Sequence, residues 1–332
     1  MQSLIIYQNI DIMTKNKKIA IITTHSFGYI DFVVDKLNLA DNVDLTYINI
    51  DSVPFKYKNT LSRVRNFFSK LVLNSSLKEK NRTSFIKNAI SKNVLFDQVL
   101  VVRPDKLETE AFVSLRGNSI EMSCFLFDGI ENYKGQKKIL HFFDTVYSYD
   151  KKDVEKYGFT FLTNYIYDDE IQNIVPSQTV FNISSYDKRF PFLEKIANYL
   201  KDKNISFLFI VKKSKAGHHE HIKIIDKYLP LDEVKKIISR SSVLVDIQKE
   251  NQSGLSFRVF EALGYGKKLI TNNQDIINYD FYNQNNICVI SETNYEIPID
   301  FFETDYVDVD SEILNKYKLN NWISVVFKVD LK

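Results

Sequence analysis

Short apolar runs alternate along this chain with longer segments in which apolar residues recur at every third or fourth position. The runs at 18–24, 98–103 and 206–211 are mostly apolar, as parallel strands buried on both faces are. The segments 29–37 and 187–201 have the spacing of amphipathic helices. This alternation of strands and helices predicts an α/β fold built from parallel, doubly wound sheets.

The alternation occurs twice, which predicts two domains. The chain has 332 residues, an ordinary length for two domains. The stretch 167–178 is acidic, has weak periodicity and contains a proline, so we place the linker there. The prediction is an N-terminal domain at 1–170, a C-terminal domain at 179–310 and a helical C-terminal segment at 311–332.

The most informative stretch runs from residue 243 to residue 271 and reads as strand, loop, helix and strand. The run VLVDIQ has the composition of a buried parallel strand, and a loop containing Gly254 follows it. A helix is predicted at 255–263, and it ends at Gly264-Tyr265-Gly266. This layout brings polar groups to the N-terminal half of one helix.

That arrangement is suited to a phosphorylated ligand. A helix N-terminus with small residues binds phosphate oxygens through free N–H groups, and here Ser253, Gly254 and Ser256 are the small residues. Arg258 can add a charge-assisted pair with a phosphate. Glu261 can accept hydrogen bonds from ribose or sugar hydroxyls. We expect Glu261→Ala and Arg258→Ala to weaken nucleotide binding without unfolding the chain.

The segment 253–271 resembles the donor-nucleotide motif of GT-B glycosyltransferases, and most of all that of bacterial enzymes that assemble lipopolysaccharide O-antigen or capsule. The resemblance implies two Rossmann-like domains that face a central cleft, with the C-terminal helix packed back on the first half. It also implies a nucleotide-sugar donor in the C-terminal domain and an acceptor in the N-terminal domain. The family's pair of glutamates eight residues apart is incomplete, because Ser253 stands eight positions before Glu261. A retaining mechanism is therefore not carried over.

Candidate catalytic residues follow the predicted strands of the first half, because ligands of open parallel sheets bind at the carboxyl ends of strands. His25 follows the first strand, Asp31 lies on the next helix and Asp128 ends a later strand. The resemblance implies that acceptor-side groups lie here, and a histidine or carboxylate could deprotonate the acceptor hydroxyl as general base. The alternatives are a loop hydrogen bond for His25 and an exposed helix charge for Asp31.

The loop after the first strand of the second half supplies two further candidates. It leads into a helix, so its N–H groups, Ser185 and Arg189 could bind a pyrophosphate or the carboxylate of an acidic sugar. The alternative is a helix capped by Asp187 and an arginine on the surface.

The segment 55–82 is strongly basic, with eight Lys or Arg residues against Glu79. Its apolar residues lie on one predicted helical face, and basic residues are interleaved with them. A basic amphipathic helix favours an anionic membrane surface, where a lipid-linked acceptor resides. The alternative is an ordinary surface helix whose apolar face belongs to the core.

Composition limits the remaining partners. Lys and Arg number 44 against 42 Asp and Glu, a net charge of +2, so no nucleic-acid partner is expected. Neither a signal peptide nor an apolar run of about 18 residues is present. Cys124 and Cys288 lie in separate apolar strand-like contexts, where we expect buried thiols and a reducing compartment. We expect a cytoplasmic protein that binds peripherally to the inner face of the cytoplasmic membrane.

Two clusters have the residue types of metal sites. His218 and His221 are three residues apart, a spacing that can ligate zinc. No cysteine or second histidine set accompanies them, so a solvated loop is the favoured interpretation, with donor-phosphate contact as an alternative. Asp308 and Asp310 form an Asp-x-Asp pair outside the motif context. We expect no metal and no cofactor.

These inferences favour a metal-independent glycosyltransferase that moves a sugar from a nucleotide-sugar donor to a growing, lipid-linked bacterial surface glycan. One alternative is a sugar-nucleotide epimerase on the same fold, which needs several acid and base groups but no acceptor surface. Another is a non-catalytic sugar-nucleotide-binding scaffold protein. Fold alone decides none of these.

Overall fold

The structure is a computed structural model that describes residues 16–57, 59–61, 66, 77–90, 94–132, 135–170, 174–215, 217–250 and 252–331. Two six-stranded sheets, parallel throughout, follow each other along the chain with helices between their strands. The predicted α/β class with two Rossmann-like halves is confirmed.

The first sheet has the strand order β2-β1-β3-β4-β5-β6. Its strands are β1 (Lys17–Thr23), β2 (Val43–Asn49), β3 (Phe96–Val102), β4 (Ser119–Leu126), β5 (Thr145–Ser148) and β6 (Thr160–Phe161). The α-helices described in this half are α1 (Tyr29–Asn38), α2 (Leu77–Ile90), α3 (Thr109–Arg116) and α4 (Lys151–Tyr157). The chain reverses its winding direction between β1 and β3, so a crevice opens at the carboxyl ends of these two strands.

The second sheet has the order β12-β11-β10-β7-β8-β9. Its strands are β7 (Gln178–Ser185), β8 (Phe207–Lys212), β9 (Ile222–Ile225), β10 (Ser241–Asp246), β11 (Lys268–Thr271) and β12 (Ile287–Val289). The helices are α5 (Phe190–Asp202), α6 (Leu231–Ser239), α7 (Phe257–Gly264), α8 (Asp300–Glu303), α9 (Ser311–Tyr317) and α10 (Leu319–Phe327). Here the winding reverses between β7 and β10, which are neighbours in the sheet.

Both sheets are buried on both faces, which explains their nearly continuous apolar strands. In β1, Ile19 and Ile21 belong to one hydrophobic cluster, while Ala20 and Ile22 belong to the cluster on the opposite face. The second sheet is likewise covered by one cluster on each face. Because successive side chains along a strand point to opposite faces, each buried strand contributes to two separate core layers in its half.

The C-terminal helix packs on the first half, as the resemblance implies. Trp322 and Phe327 of α10 lie in the same cluster as Ile19 and Val33. The chain crosses between the halves twice in adjacent places, because Ile166 forms a parallel bridge with Lys318. The helical C-terminal segment predicted at 311–332 is not one continuous helix, since Lys318 has an extended backbone (ψ 152°) and separates α9 from α10.

The basic segment 55–82 is described only in part, and residues 58, 62–65 and 67–76 lie outside the described residues. Within its described part, Arg82 is buried, donates to the Ile50 carbonyl and pairs with Asp51. Arg82 therefore takes no part in a membrane-facing basic surface. No helix in the described part of the chain is long and apolar enough to cross a bilayer.

Candidate functional site

The crevice between β7 and β10 collects several predicted site residues. Arg189 precedes α5, donates through Nε to Asp187 Oδ1 and through Nη2 to Asp187 Oδ2, and donates through Nη1 to the Ile247 carbonyl at 2.8 Å. A small pocket at this point is lined by Asn182, Ser185 and Arg189. Arg189 thus joins the loops that follow β7 and β10, and its charge is largely balanced by Asp187.

The start of α7 is held by the last residue of β10. The Ser256 hydroxyl donates to Asp246 Oδ1 at 2.9 Å and accepts from the Arg258 N–H at 3.1 Å, so it caps the helix. Burial raises the pKa of the Asp246 carboxyl, while Ser256 and Arg258 oppose that shift. Our sequence analysis did not select Asp246. Its place at the end of a buried strand was the signal that could have found it.

Glu261 is enclosed by protein groups in this structure. Its carboxylate is 1% exposed and forms an ion pair with Arg258, one turn earlier on α7. The hydroxyl of Tyr167 donates to Glu261 Oε1 at 2.6 Å, and that of Tyr29 lies 3.4 Å from the same oxygen. Burial raises the pKa of both tyrosines well above the ordinary value. A ribose hydroxyl could reach Glu261 only if a tyrosine moved, so ribose contact remains a prediction.

The loop before α7 is docked against the first half. The Ser253 N–H donates to Asp150 Oδ2 at 2.9 Å, and the Ser253 hydroxyl donates to the same carboxylate. A Cβ on Gly254 would lie 2.1 Å from Tyr149 Cδ2, so only glycine fits this contact. Asp150 also caps α4, by accepting from the Lys152 N–H. Ser253 and Gly254 therefore join the two halves here, and their contact with phosphate remains a prediction.

The loop after β1 carries His25 on the first half. The residue is exposed, and its backbone N–H donates to Asp51 Oδ2 at 3.2 Å. Asp31 accepts instead from the Tyr47 hydroxyl at 2.7 Å, and no hydrogen bond joins these described histidine and aspartate residues. Asp31 therefore does not orient the imidazole in this structure, and a role of His25 as base remains a prediction.

Asp128, the third catalytic candidate, follows β4 and faces the second half. Its carboxylate lies 3.2 Å from Lys249 Nζ, on the loop between β10 and α7. A nearby strand end has an unusual backbone, because Arg103 after β3 has a left-handed φ of 61° and pairs with Asp105. The carboxyl ends of β3 and β4 therefore present charged groups on the side of the cleft.

Aromatic rings fill the seam between the halves beside α7. Phe257 of α7 belongs to the core cluster of the first half, and Tyr29 stacks on it with centroids 3.8 Å apart and planes inclined by 8°. The Tyr165 hydroxyl donates to the Tyr29 carbonyl at 2.9 Å. At the other end of α7, a Cβ on Gly264 would lie 2.6 Å from the Asp168 carbonyl oxygen. The motif helix is therefore closely packed at both ends.

The histidine cluster has a structural role in the turn before β9. His219 Nδ1 accepts from the N–H groups of His221 and Ile222, and Nε2 lies 2.8 Å from Glu194 Oε1. Asp310, of the Asp-x-Asp pair, caps α9. No group of three or more His, Cys, Asp or Glu side chains suited to a metal ion occurs among the residues that the structure describes.

No protein-family model and no curated protein matches this chain. Several solved structures are similar to it in fold. Staphylococcus aureus MnaA in complex with UDP is 11% identical and has a TM-score of 0.51 over 95% of this chain and 98% of that one. The UDP-GlcNAc 2-epimerase of Neisseria meningitidis bound to UDP-GlcNAc is 11% identical, with a TM-score of 0.52 over 94% of this chain and 98% of that one. Acinetobacter baumannii MurG is 9% identical, with a TM-score of 0.50 over 94% of this chain and 100% of that one. The chain has the GT-B fold, with two Rossmann-like domains that face a central cleft.

Proposed function

We propose that this chain is a glycosyltransferase that takes a sugar from a nucleotide donor held by the second half. The acceptor, held by the first half, is a growing lipid-linked glycan of the bacterial surface. One observation carries the proposal: the loop with His25 leads into α1, and Tyr29 of α1 reaches Glu261 on the motif helix. The acceptor-side candidate and the donor motif therefore belong to elements in direct contact across the cleft.

The donor diphosphate is assigned to the crevice between β7 and β10. Ser185 and Arg189 border it on one side, and the N-terminal turn of α7 follows β10 on the other. Hydroxyl and N–H donors together with a guanidinium stabilise the negative charge that develops on the leaving nucleotide. Two similarly folded proteins were solved with UDP or UDP-GlcNAc, which supports a uridine nucleotide as the first donor to test.

The transfer itself requires one base on the acceptor side. The acceptor hydroxyl oxygen attacks the anomeric carbon of the donor sugar, the bond to the phosphate oxygen breaks, and the hydroxyl proton passes to His25. Asp128 is the competing base, although Lys249 holds its carboxylate in this structure. With Arg189 and helix N–H groups near the phosphates, the proposed reaction proceeds without a metal ion.

A sugar-nucleotide epimerase is the second candidate. Asp128 and Lys249 place an acid and a base 3.2 Å apart on opposite sides of the cleft. Such a pair is suited to removing and returning a proton on a bound hexose. A scaffold protein that binds a sugar nucleotide without turnover is the third candidate.

One series of measurements distinguishes the three. Calorimetry with UDP and a panel of UDP-sugars tests binding, and product analysis follows with donor alone and then with lipid-linked acceptors. A transferase releases UDP only when the acceptor is present, and that release should persist in EDTA. Conversion of the donor sugar without acceptor would identify an epimerase, and binding without turnover would identify a scaffold protein. Failure to bind any nucleotide would contradict all three.

A further inference from the structure

An exposed aromatic pair, neither ring of which was predicted as a site residue, joins the two halves. Phe27 follows β1 in the first half, and Tyr228 lies between β9 and α6 in the second. Their ring centroids are 5.2 Å apart in an edge-to-face arrangement. Phe27 is 54% exposed and Tyr228 is 53% exposed. Burial in a core therefore does not account for either ring.

The backbone of Phe27 indicates a role for its side chain. Its φ of 60° and ψ of 12° lie in the left-handed region. Such a conformation costs a residue other than glycine about 1–3 kcal/mol, and strain of this kind is concentrated at functional sites. The next residue, Gly28, adopts φ 85° without that cost. The chain therefore keeps a half-exposed phenyl ring where glycine would be less strained.

Polar and charged groups surround the ring of Tyr228. Its hydroxyl lies 3.4 Å from Ser185 Oγ at the end of β7. Lys212 Nζ lies 4.7 Å from the ring centroid. Aromatic surfaces beside a few polar groups form ligand sites, because the rings contact apolar C–H groups while the polar groups orient the ligand. A pyranose has both kinds of group, and an ammonium beside it favours a sugar with a carboxylate or phosphate.

We propose that Phe27 and Tyr228 form a subsite for a pyranose ring of the acceptor, and that Lys212 favours a negatively charged sugar. Phe27 follows His25 by two positions, so a sugar stacked on Phe27 would lie on the loop that carries the proposed base. One ring comes from each half, so the subsite exists only where the two halves meet. This inference rests on the proposed function, since only a transferase has an acceptor.

The test measures sugar binding and nucleotide binding separately in the full chain. Saturation-transfer NMR follows methyl β-glucopyranoside and methyl β-glucuronide in the presence of UDP, and calorimetry follows UDP alone. We expect Phe27→Gly and Tyr228→Ala to weaken glycoside binding about tenfold, as loss of an aromatic contact does, and Phe27→Gly to leave UDP affinity unchanged. Lys212→Met should remove the preference for the glucuronide.

Two matched controls accompany these variants. Phe27→Tyr keeps an aromatic ring and should bind glycosides normally. Tyr186→Ala removes another exposed ring that has Lys213 Nζ 4.0 Å from its centroid, but that ring contacts Phe190 of its own half. This variant should also bind normally. Phe27→Gly relieves backbone strain, so its thermal midpoint should not fall.

Three outcomes would overturn the subsite: no saturation transfer to either glycoside in the wild type, equal binding by the wild type and both ring-loss variants, or a parallel loss of UDP affinity in Phe27→Gly. The last result would assign the pair to the donor. If the wild type bound no nucleotide at all, the proposed function would fail instead, and the UDP titration shows that directly.

Discussion

Tyr167, in the segment between the two sheets, donates a hydrogen bond to Oε1 of Glu261 at 2.6 Å. Tyr29 of the first half lies 3.4 Å from the same oxygen, and Arg258 pairs with the carboxylate from its own helix. Three parts of the chain therefore meet at one buried carboxylate. The residue for which the sequence predicts ribose contact also couples the two halves in this structure.

Loss of the Glu261 carboxylate should destabilise the fold. In Glu261→Ala, Arg258 would remain buried without its partner, which costs about 3–5 kcal/mol. Urea unfolding measures this directly. Our sequence-based expectation that such variants stay folded holds only if the chain has stability to spare, so nucleotide affinity is compared only in variants that urea unfolding shows to be folded.

A double variant provides the control for this ion pair. Arg258→Met combined with Glu261→Leu removes both charges, so it should be more stable than either single variant that leaves one charge buried. Tyr167→Phe should cost about 1.5–3 kcal/mol, because a hydrogen bond to a charged group is lost. If all of these variants unfolded like the wild type, the buried network would not stabilise the protein.

Gly254→Ala should separate the halves or destabilise the chain. The added methyl group would lie 2.1 Å from Tyr149 Cδ2, a distance that requires the docked loop to move. Gly217→Ala is the matched control, because nothing lies within 4 Å of a Cβ at that position. Thermal unfolding should show a lower midpoint for Gly254→Ala alone. An unchanged midpoint would mean that the loop can move away from Tyr149 without a loss of stability.

His25→Ala should lower turnover by about 100-fold, the lower range for a lost general base, while nucleotide affinity stays close to that of the wild type. Asp31→Asn should have a much smaller effect, because its carboxylate is bound to Tyr47 and not to His25. Single-turnover kinetics with calorimetry separate the two quantities. A large loss in Asp128→Asn combined with a small one in His25→Ala would move the base to Asp128.

Asp246 should make stability depend on pH. Burial raises its pKa above the ordinary 3.8, so the folded protein favours the protonated carboxyl. The stability that the protonated carboxyl contributes is present below the pKa of the unfolded chain, and it is lost as pH rises through the pKa of the folded protein. As pH rises above 3.8, the wild type should therefore lose unfolding free energy relative to Asp246→Asn. A constant difference across the acid range would refute this.

The basic segment 55–82 should bring the protein to anionic vesicles. Each basic side chain near such a surface contributes about 1 kcal/mol, and salt weakens the attraction. Liposome flotation should show binding to anionic but not neutral vesicles, and conversion of Arg63, Arg65 and Lys70 to Glu should abolish it. The matched control converts three exposed lysines of the second half: Lys195, Lys203 and Lys223. Equal flotation of both triple variants would identify an ordinary surface helix.

Local pattern was enough to predict most elements that position the site. The strands β1, β3 and β8 begin and end within two residues of the apolar runs at 18–24, 98–103 and 206–211, and α7 lies in the predicted strand–loop–helix segment. Among the features missed are the short edge strand β9 and the break at Lys318. Four residues of Ile-Lys-Ile-Ile carry too little pattern to distinguish a strand from a loop. The break was missed because the sequence around Lys318 contains neither glycine nor proline.

The sequence by itself determined the α/β alternation and the motif helix, because apolar periodicity and turn residues act over a few neighbouring positions. Only the tertiary structure decided what the motif residues touch. Tyr167 and Tyr29 are 94 and 232 positions away from Glu261, and Tyr149 meets Gly254 from the other half. Such contacts depend on how two separately wound sheets dock. That docking buries the Glu261 carboxylate and makes glycine necessary at position 254.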